Sequence, residues 1–330
     1  MSIFFKTAGI MTAGMLFAAL PMFAAEPQVS PVLASANAAL QAGEADKALE
    51  LLRSSIQAGP NQAEAENLEC RVLLNLEQWD RASSACEKAV SLEGQSSVYH
   101  LWLGRALGEK ASRASFLSAY SLGKRVREEF ETSVRLNPRN AEALADLGEF
   151  YYSAPSVVGG GSGKAEGVAA QLDSLDPARA HELRGRIAEE RKDYSTAERE
   201  FRQAIAMGAH PAFQWANLAS FLRRRERWAE MDTAIHSCMT AAEHDKHAGV
   251  ALYDAASILI KTNREPALAA KLIESYLASP QKTEEAPAFV AHVRLGRLKD
   301  QLGDSEGAKR ERESALALAH EYKPAQEMKH

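Results

Sequence analysis

Residues 178–211, ARAHELRGRIAEERKDYSTAEREFRQAIAMGAHP, hold one complete structural unit. Gly185 is a small residue in the middle of one helical stretch. Twelve residues later Ala197 opens a second stretch, and the bulky Phe201 follows four after that. Two antiparallel helices in contact need small side chains where their backbones approach, and a large one to fill the groove alongside. The same arrangement recurs in both directions along the chain. Its first small slot is filled by Ala36, Cys70, Gly104, Gly148, Gly185, Ala219, Ala256 and Gly296, at intervals of 34, 34, 44, 37, 34, 37 and 40. One such hairpin cannot bury its apolar stripe alone, so eight of them are expected to stack in series as a rod. Strand-like alternation is nowhere evident.

Further marks keep the same phase. Leu103-Gly104, Leu147-Gly148 and Leu295-Gly296 repeat a Leu-Gly pair, with Tyr151 three residues after Gly148 and Trp215 three before Leu218. Aromatic residues stand three positions before the second small slot as Trp79, Tyr194 and Trp228. Ala48 with Leu52 and Val126 with Phe130 repeat the small–bulky pair, and Pro60, Pro138, Pro177 and Pro280 each lie twelve residues after the second small slot. The pattern resembles the tetratricopeptide repeat, W-x2-L-G-x2-Y, then A-x3-F, then P, over roughly residues 30–322. The resemblance implies an all-α, right-handed solenoid of about eight helix–turn–helix hairpins across 26–322, with 323–330 as a C-terminal tail. Arg312, in the last unit's bulky slot, is expected to act as a polar cap closing the rod's end. Met231 and Leu268, in second small slots, are expected to splay their hairpins.

Residues 1–25 read as an export signal: Lys6 starts it, residues 8–23 are mostly apolar, and Ala24-Ala25 offers a small-residue end. Cleavage before Glu26 is expected, giving a periplasmic or secreted protein without stable membrane insertion. The chain has 39 basic residues, 38 once Lys6 is removed, against 44 acidic ones. That balance argues against nucleic acid as a partner, because a phosphate-binding surface is basic. Cys70 and Cys86 occupy the first small slot and the bulky slot of the second unit, facing the same helix contact. They suit either a disulfide in an oxidising compartment or two buried thiols. Cys238 is expected to be buried and free.

The register breaks at two neighbouring places. The two small slots of a unit usually lie 12 apart, but Gly104 and Val126 are 22 apart and Gly148 and Ala165 are 17 apart. The extra residues fall near 109–120 and 153–163, between the two helices of their units, so both insertions emerge on one edge and should touch. Phe116 and Tyr120 in the first, and Pro155, Val157 and Val158 in the second, need cover from each other or from a partner.

Other motifs carry little. Gly159–Lys164 (GGGSGK) lacks the leading Gly and the trailing Ser or Thr of a phosphate loop. His100, His181 and His292 share the slot of Trp215 and are expected between helices; His236, His244 and His247 near Asp245 match no zinc spacing. No cofactor and no catalytic signature is expected, so the chain reads as non-enzymatic. Arg223 to Arg225 with Arg227 forms a local basic stretch.

The concave face is read from the residue after each first small slot: Asn37, Arg71, Arg105, Glu149, Arg186, Ser220, Ser257 and Arg297. Four arginines there suit carboxylate-bearing peptides through bidentate pairing, and Tyr152 and Tyr253 add apolar contact. The expected function is a scaffold or adaptor in the cell envelope. It binds a partner protein, or a peptide with acidic segments, through this face, Arg223, and the Phe116–Tyr120 edge. The rivals are a self-associating structural module and a metal-binding or enzymatic protein. The sequence leaves the oligomeric state open.

Overall fold

The structure is a computed structural model describing residues 30–57 and 61–329; residues 1–25, expected as an export signal, and Pro60 lie outside the described residues. Among those residues the regular elements are all helical. They pair in series: α1 (Pro31–Ala42) with α2 (Ala45–Gln57), α3 (Gln62–Asn75) with α4 (Trp79–Leu92), α5 (Ser97–Ala111) with α6 (Phe116–Leu136), and α7 (Ala141–Ser153) with α8 (Ser162–Leu172). The second half continues with α9 (Pro177–Glu190) and α10 (Tyr194–Met207), α11 (Pro211–Arg224) and α12 (Trp228–Glu243), α13 (Gly249–Thr262) and α14 (Pro266–Ala278), and α15 (Ala288–Gln301) and α16 (Ser305–Leu318). A four-residue helix, α17 (Lys323–Gln326), follows. The first helices pack on one another in two runs, α1–α3–α5 and α7–α9–α11–α13. Side chains join the runs into one inner layer, Arg105 of α5 reaching Asp146 of α7 and Arg294 of α15 reaching Ser257 of α13.

All eight first small slots are buried. A Cβ on Gly104 would lie 2.5 Å from the Phe130 ring, and one on Gly185 would lie 3.1 Å from Phe201. The bulky residue of the second helix thus fills the space the small residue leaves, and the packing density of a protein core leaves no room for both.

The turn inside six of the eight units, all but the two with insertions, is closed by one device. Gly43, Glu77, Lys192, Glu226, Asn263 and Gly303 all have positive φ, and each stands seven residues after its unit's first small slot. In each, the left-handed residue and its successor donate their N–H groups back into the last turn, as Lys192 to the Glu189 carbonyl and Asp193 to the Ala188 carbonyl. This is a Schellman cap, which satisfies carbonyls that a helix end leaves open. In the seventh unit Glu265 is also left-handed (φ 44°), so one more residue separates Asn263 from α14. The second small slot there is consequently Ala269, fully buried, and not Leu268, which is partly buried beside it. Met231 is fully buried in its own slot.

The largest departure from expectation is overall shape. The series does not end in an open rod, because its last unit packs on its first. Leu33, Ala36, Leu40, Leu52 and Leu68 share one apolar cluster with Phe289, Val293, Ala319 and Tyr322. Tyr322 stacks edge-on against Phe289, with centroids 4.8 Å apart, and its hydroxyl donates to Glu77 at 3.3 Å. Asp46 accepts from the His320 N–H, and Gln78 and Arg81 reach Glu321. The chain is a closed ring of eight hairpins. Arg312 accordingly caps no free end: it is partly buried, and its Nε donates to the Ala325 carbonyl. Residues 323–329, expected as a tail, carry α17, whose Ala325 is buried in the same cluster.

Candidate functional site

The inner layer carries the charged groove, and the structure shows which of its expected residues meet. Arg71 and Arg105 both lie against the Trp102 ring, 5.0 and 4.4 Å from its centroid. Arg105 donates through Nε to Asp146 at 2.5 Å and pairs with Glu142 at 2.7 Å. A groove of about 700 Å³ between units two and four is lined by Trp79, Trp102, Arg105, Asp146, Glu149 and Phe150. A second hollow, about 290 Å³, continues it with Glu149, Tyr152, Arg179, Glu182 and Arg186. Asn37 joins from the first unit, accepting from Arg71 at 3.4 Å. On the facing wall Tyr253 packs on Tyr276 and under Arg294, whose centre lies 4.6 Å from its ring. Ser257 and Ser220 are taken up by Arg294 and Arg224. Arg297 stands apart, beside Glu327 and Lys329.

Acidic residues of this lining were missed by reading one slot per unit. On a helix the same stripe continues three to four residues earlier, where Asp146, Glu182 and Asp254 stand, and one turn further back at Glu142. Their electrostatics follow from enclosure. Burial lifts the Asp146 carboxyl above its ordinary range even against Arg105. Burial and then Asp146 lift Glu149, and burial lifts Glu182. Asp254 is pushed up to about 7, first by burial and then by Glu285. Water touches Asp254, but the opposite wall displaces bulk solvent around it, and charge in such a space is poorly screened.

Glu285 belongs to the segment between α14 and α15, residues 279–287, which turns into the ring. Its neighbour Glu284 makes a bidentate pair with Arg71, with Nε to Oε2 at 2.8 Å and Nη2 to Oε1. Gln41 grips the same residue twice: its Nε2 donates to Glu284 Oε1 at 2.9 Å, and its Oε1 accepts the Glu284 N–H at 3.2 Å. The signal in the sequence was the 40-residue interval from Ala256 to Gly296.

Away from the groove, the first insertion forms no loop. It lengthens α5 and makes α6 a 21-residue helix. The second insertion forms a short 3-10 turn, Ser156–Val158, and the two touch: Val158 is buried against Gly123, and Arg127 donates to the Val158 carbonyl at 3.4 Å. Phe116 and Leu117 remain 85% and 80% exposed, with Tyr120 beside them under Lys124.

Cys70 and Cys86 are joined by a disulfide with Cα atoms 5.3 Å apart, and Cys238 is a buried thiol. The basic stretch is largely spent within the fold. Arg224 pairs with Glu189, Arg227 with Glu198 and Glu230, and Arg225 covers Tyr194, each tying α11 or its turn to a neighbouring segment. The partly buried Arg223 has an Nε without a hydrogen-bond partner. His100, His181 and His292 each pair with a glutamate three residues after the second small slot of their unit, Glu129, Glu200 and Glu311. Those imidazoles stitch the two helices of a hairpin together. His210 pairs with Asp245 and stacks on His247. Among the described residues no three His, Cys, Asp or Glu side chains are grouped to hold a metal ion, and no helix is long and apolar enough to cross a membrane.

The tetratricopeptide repeat model matches residues 39–105, from the end of α1 to the middle of α5. No curated protein matches the chain. Among solved structures, a thermophilic TPR protein of Thermus thermophilus is 20% identical and covers 58% of this chain and 97% of its own, with a TM-score of 0.47. A tetratricopeptide repeat protein of Parabacteroides merdae is 14% identical over 89% of this chain and 97% of its own, with a TM-score of 0.43. MamA is 20% identical over 50% of this chain and 89% of its own, with a TM-score of 0.40.

Proposed function

We propose that this exported chain is a non-catalytic interaction scaffold of the cell envelope. Its inner face takes up a partner protein or peptide segment that carries carboxylates. The observation that supports this most directly is the convergence of Arg71, Arg105 and Arg186 with Trp102 and Tyr152 along one groove. Planar guanidinium groups beside aromatic rings are carboxylate-binding forks on a surface that also accepts apolar atoms, and a ligand carboxylate enters by exchange with the internal pairs Arg71–Glu284 and Arg105–Asp146. Acidic residues spaced between the arginines confine where a ligand's own charges can sit, which favours register over raw attraction.

The test is crosslinking capture from native envelopes with the full mature chain. The Arg105→Gln, Arg186→Gln double variant should lose the captured partner while its circular dichroism stays helical. Unchanged capture by that variant would remove the inner face from the function. A second reading, self-association, draws support from exposed Phe116 and Leu117 at the corner of α6. Sedimentation over a range of concentrations decides it, because a monomer at every concentration rules it out.

A further inference from the structure

We infer that residues 281–287, Gln-Lys-Thr-Glu-Glu-Ala-Pro, act as an internal ligand of the groove, occupying the Arg71–Gln41 position that an acidic peptide of a partner takes by displacing them. This rests on the reading of the inner face as a peptide groove, and goes beyond it by naming both the recognised group and the device that guards it.

The segment is unusual in length and in direction. Nine residues separate α14 from α15, whereas four separate α8 from α9 and three separate α10 from α11. The surplus residues turn inward. They are held from behind by a built base: the buried Tyr276 hydroxyl donates to the Ala286 carbonyl, the Ala286 N–H donates to the Thr283 carbonyl at 3.2 Å, and Lys282 Nζ donates to the Ser279 carbonyl at 2.9 Å. The tip then offers Glu284 to the first two units.

What meets that tip has the form of peptide recognition. Arg71 reads the carboxylate with two parallel donors, and Gln41 reads both the carboxylate and the main-chain N–H of the same residue. A side chain that pairs with a residue's backbone amide and with its carboxylate selects an acidic residue at the tip of a turn, here the one closed by the Ala286 N–H and the Thr283 carbonyl, whichever chain supplies it. The Arg71 and Glu284 side chains are 15% and 12% exposed, so the pair is shielded from the screening that makes most surface ion pairs weak. The next residue fits less well. Glu285 enters the fields of Arg105 and Arg179 but also that of Glu142, and burial followed by Glu142 raises its carboxyl above the ordinary range. A partner segment with one carboxylate at the Glu284 position and a neutral residue after it would avoid that repulsion.

Only the tip, Thr283 to Glu285, needs to leave the groove. Ala286 stays fully buried under Tyr276, and the apolar seam of Leu33, Leu40, Phe289, Val293 and Tyr322 lies beyond it, so the ends stay joined while the tip exchanges.

The experiment measures binding of a fluorescent synthetic peptide, QKTEEAP, to the full mature chain by anisotropy. The intact protein should bind it weakly. The Glu284→Gln, Glu285→Gln variant, with its own tip disarmed, should bind it at least tenfold more tightly, and adding Arg71→Ala should abolish the gain. Gln41→Ala serves as the second variant: it should weaken peptide binding in the disarmed background without altering the arginines. No gain in the disarmed variant, with helicity and small-angle scattering dimensions unchanged, overturns the proposal. So does an expanded scattering profile, which would make the segment a strut of the ring. Failure here leaves envelope capture dependent on Arg105 and Arg186 intact, whereas failure of the inner-face reading abolishes that dependence.

Discussion

Two departures from the regular spacing end in opposite places. The extra residues of units three and four sit between the two helices of a unit; those of unit three run on along the helix axes, and those of unit four form the 3-10 turn that lies against them. α6 grows to 21 residues and carries Phe116 out into solvent. The extra residues between α14 and α15 join two units, and they turn across the ring to reach Arg71. An insertion inside a hairpin lengthens helices that are already paired, so it projects from the edge. An insertion between hairpins starts beside the inner layer, so it can lie on that layer's surface. The same tolerance of added length thus yields an outward horn in one case and an inward tongue in the other.

Unit two receives both, because Lys110 of the lengthened α5 and Arg113 of the turn after it rest on Asp80 and Trp79, and Arg71 receives Glu284. Replacing Cys70 and Cys86 by Ala should therefore produce the largest effect, about 3 kcal/mol for a loop of this size. Chemical denaturation checks it. A loss below ~1 kcal/mol would mean that helix packing alone holds the unit. Next, Val158→Ala removes two buried methyl groups that pin the outer insertions together and should cost about 1.5 kcal/mol; no loss of stability would show the contact to be incidental.

The inward segment should leave a pH signature. Asp254 has a folded pKa of about 7, above its unfolded value near 3.8. The folded state thus holds the proton more firmly, and stability should fall as pH rises between those two values. Asp254→Asn should remove that decline and stabilise the protein at pH 8, and Glu285→Gln, which relieves the charge that raises the Asp254 carboxyl, should make the decline smaller and end it at lower pH. Identical stability curves for variant and parent between pH 4 and 8 would break the link between the segment and Asp254. The smallest effect is expected outside: Phe116→Ala should change stability by no more than about 0.5 kcal/mol, because an exposed side chain has little burial to lose. A loss that grows with protein concentration would reveal that the horn packs on another copy.

The repeat register was legible because its cause is local. Gly104 faces Phe130 and Gly185 faces Phe201 within single units, so the pattern is written in nearby residues. The shift at Leu268 escaped because two left-handed residues, Asn263 and Glu265, add a position that side-chain type does not announce. Ring closure escaped for a different reason: it accumulates from small rotations between eight units, and no local pattern records their sum. Of the groove, the arginines were visible through their single slot, while Asp146, Glu182 and Asp254 lie one turn earlier and Glu142 two turns earlier. The partner of Arg71 lay 213 residues away.

In an open array of repeats the terminal hairpin touches one neighbour, so unravelling starts there and runs inward. Here the Phe289–Tyr322 stack and its surrounding leucines give every hairpin two neighbours. The first local opening must break two interfaces at once. Amide hydrogens in α1 and α16 should accordingly exchange with deuterium about as slowly as those in α9, where a linear stack would show frayed ends.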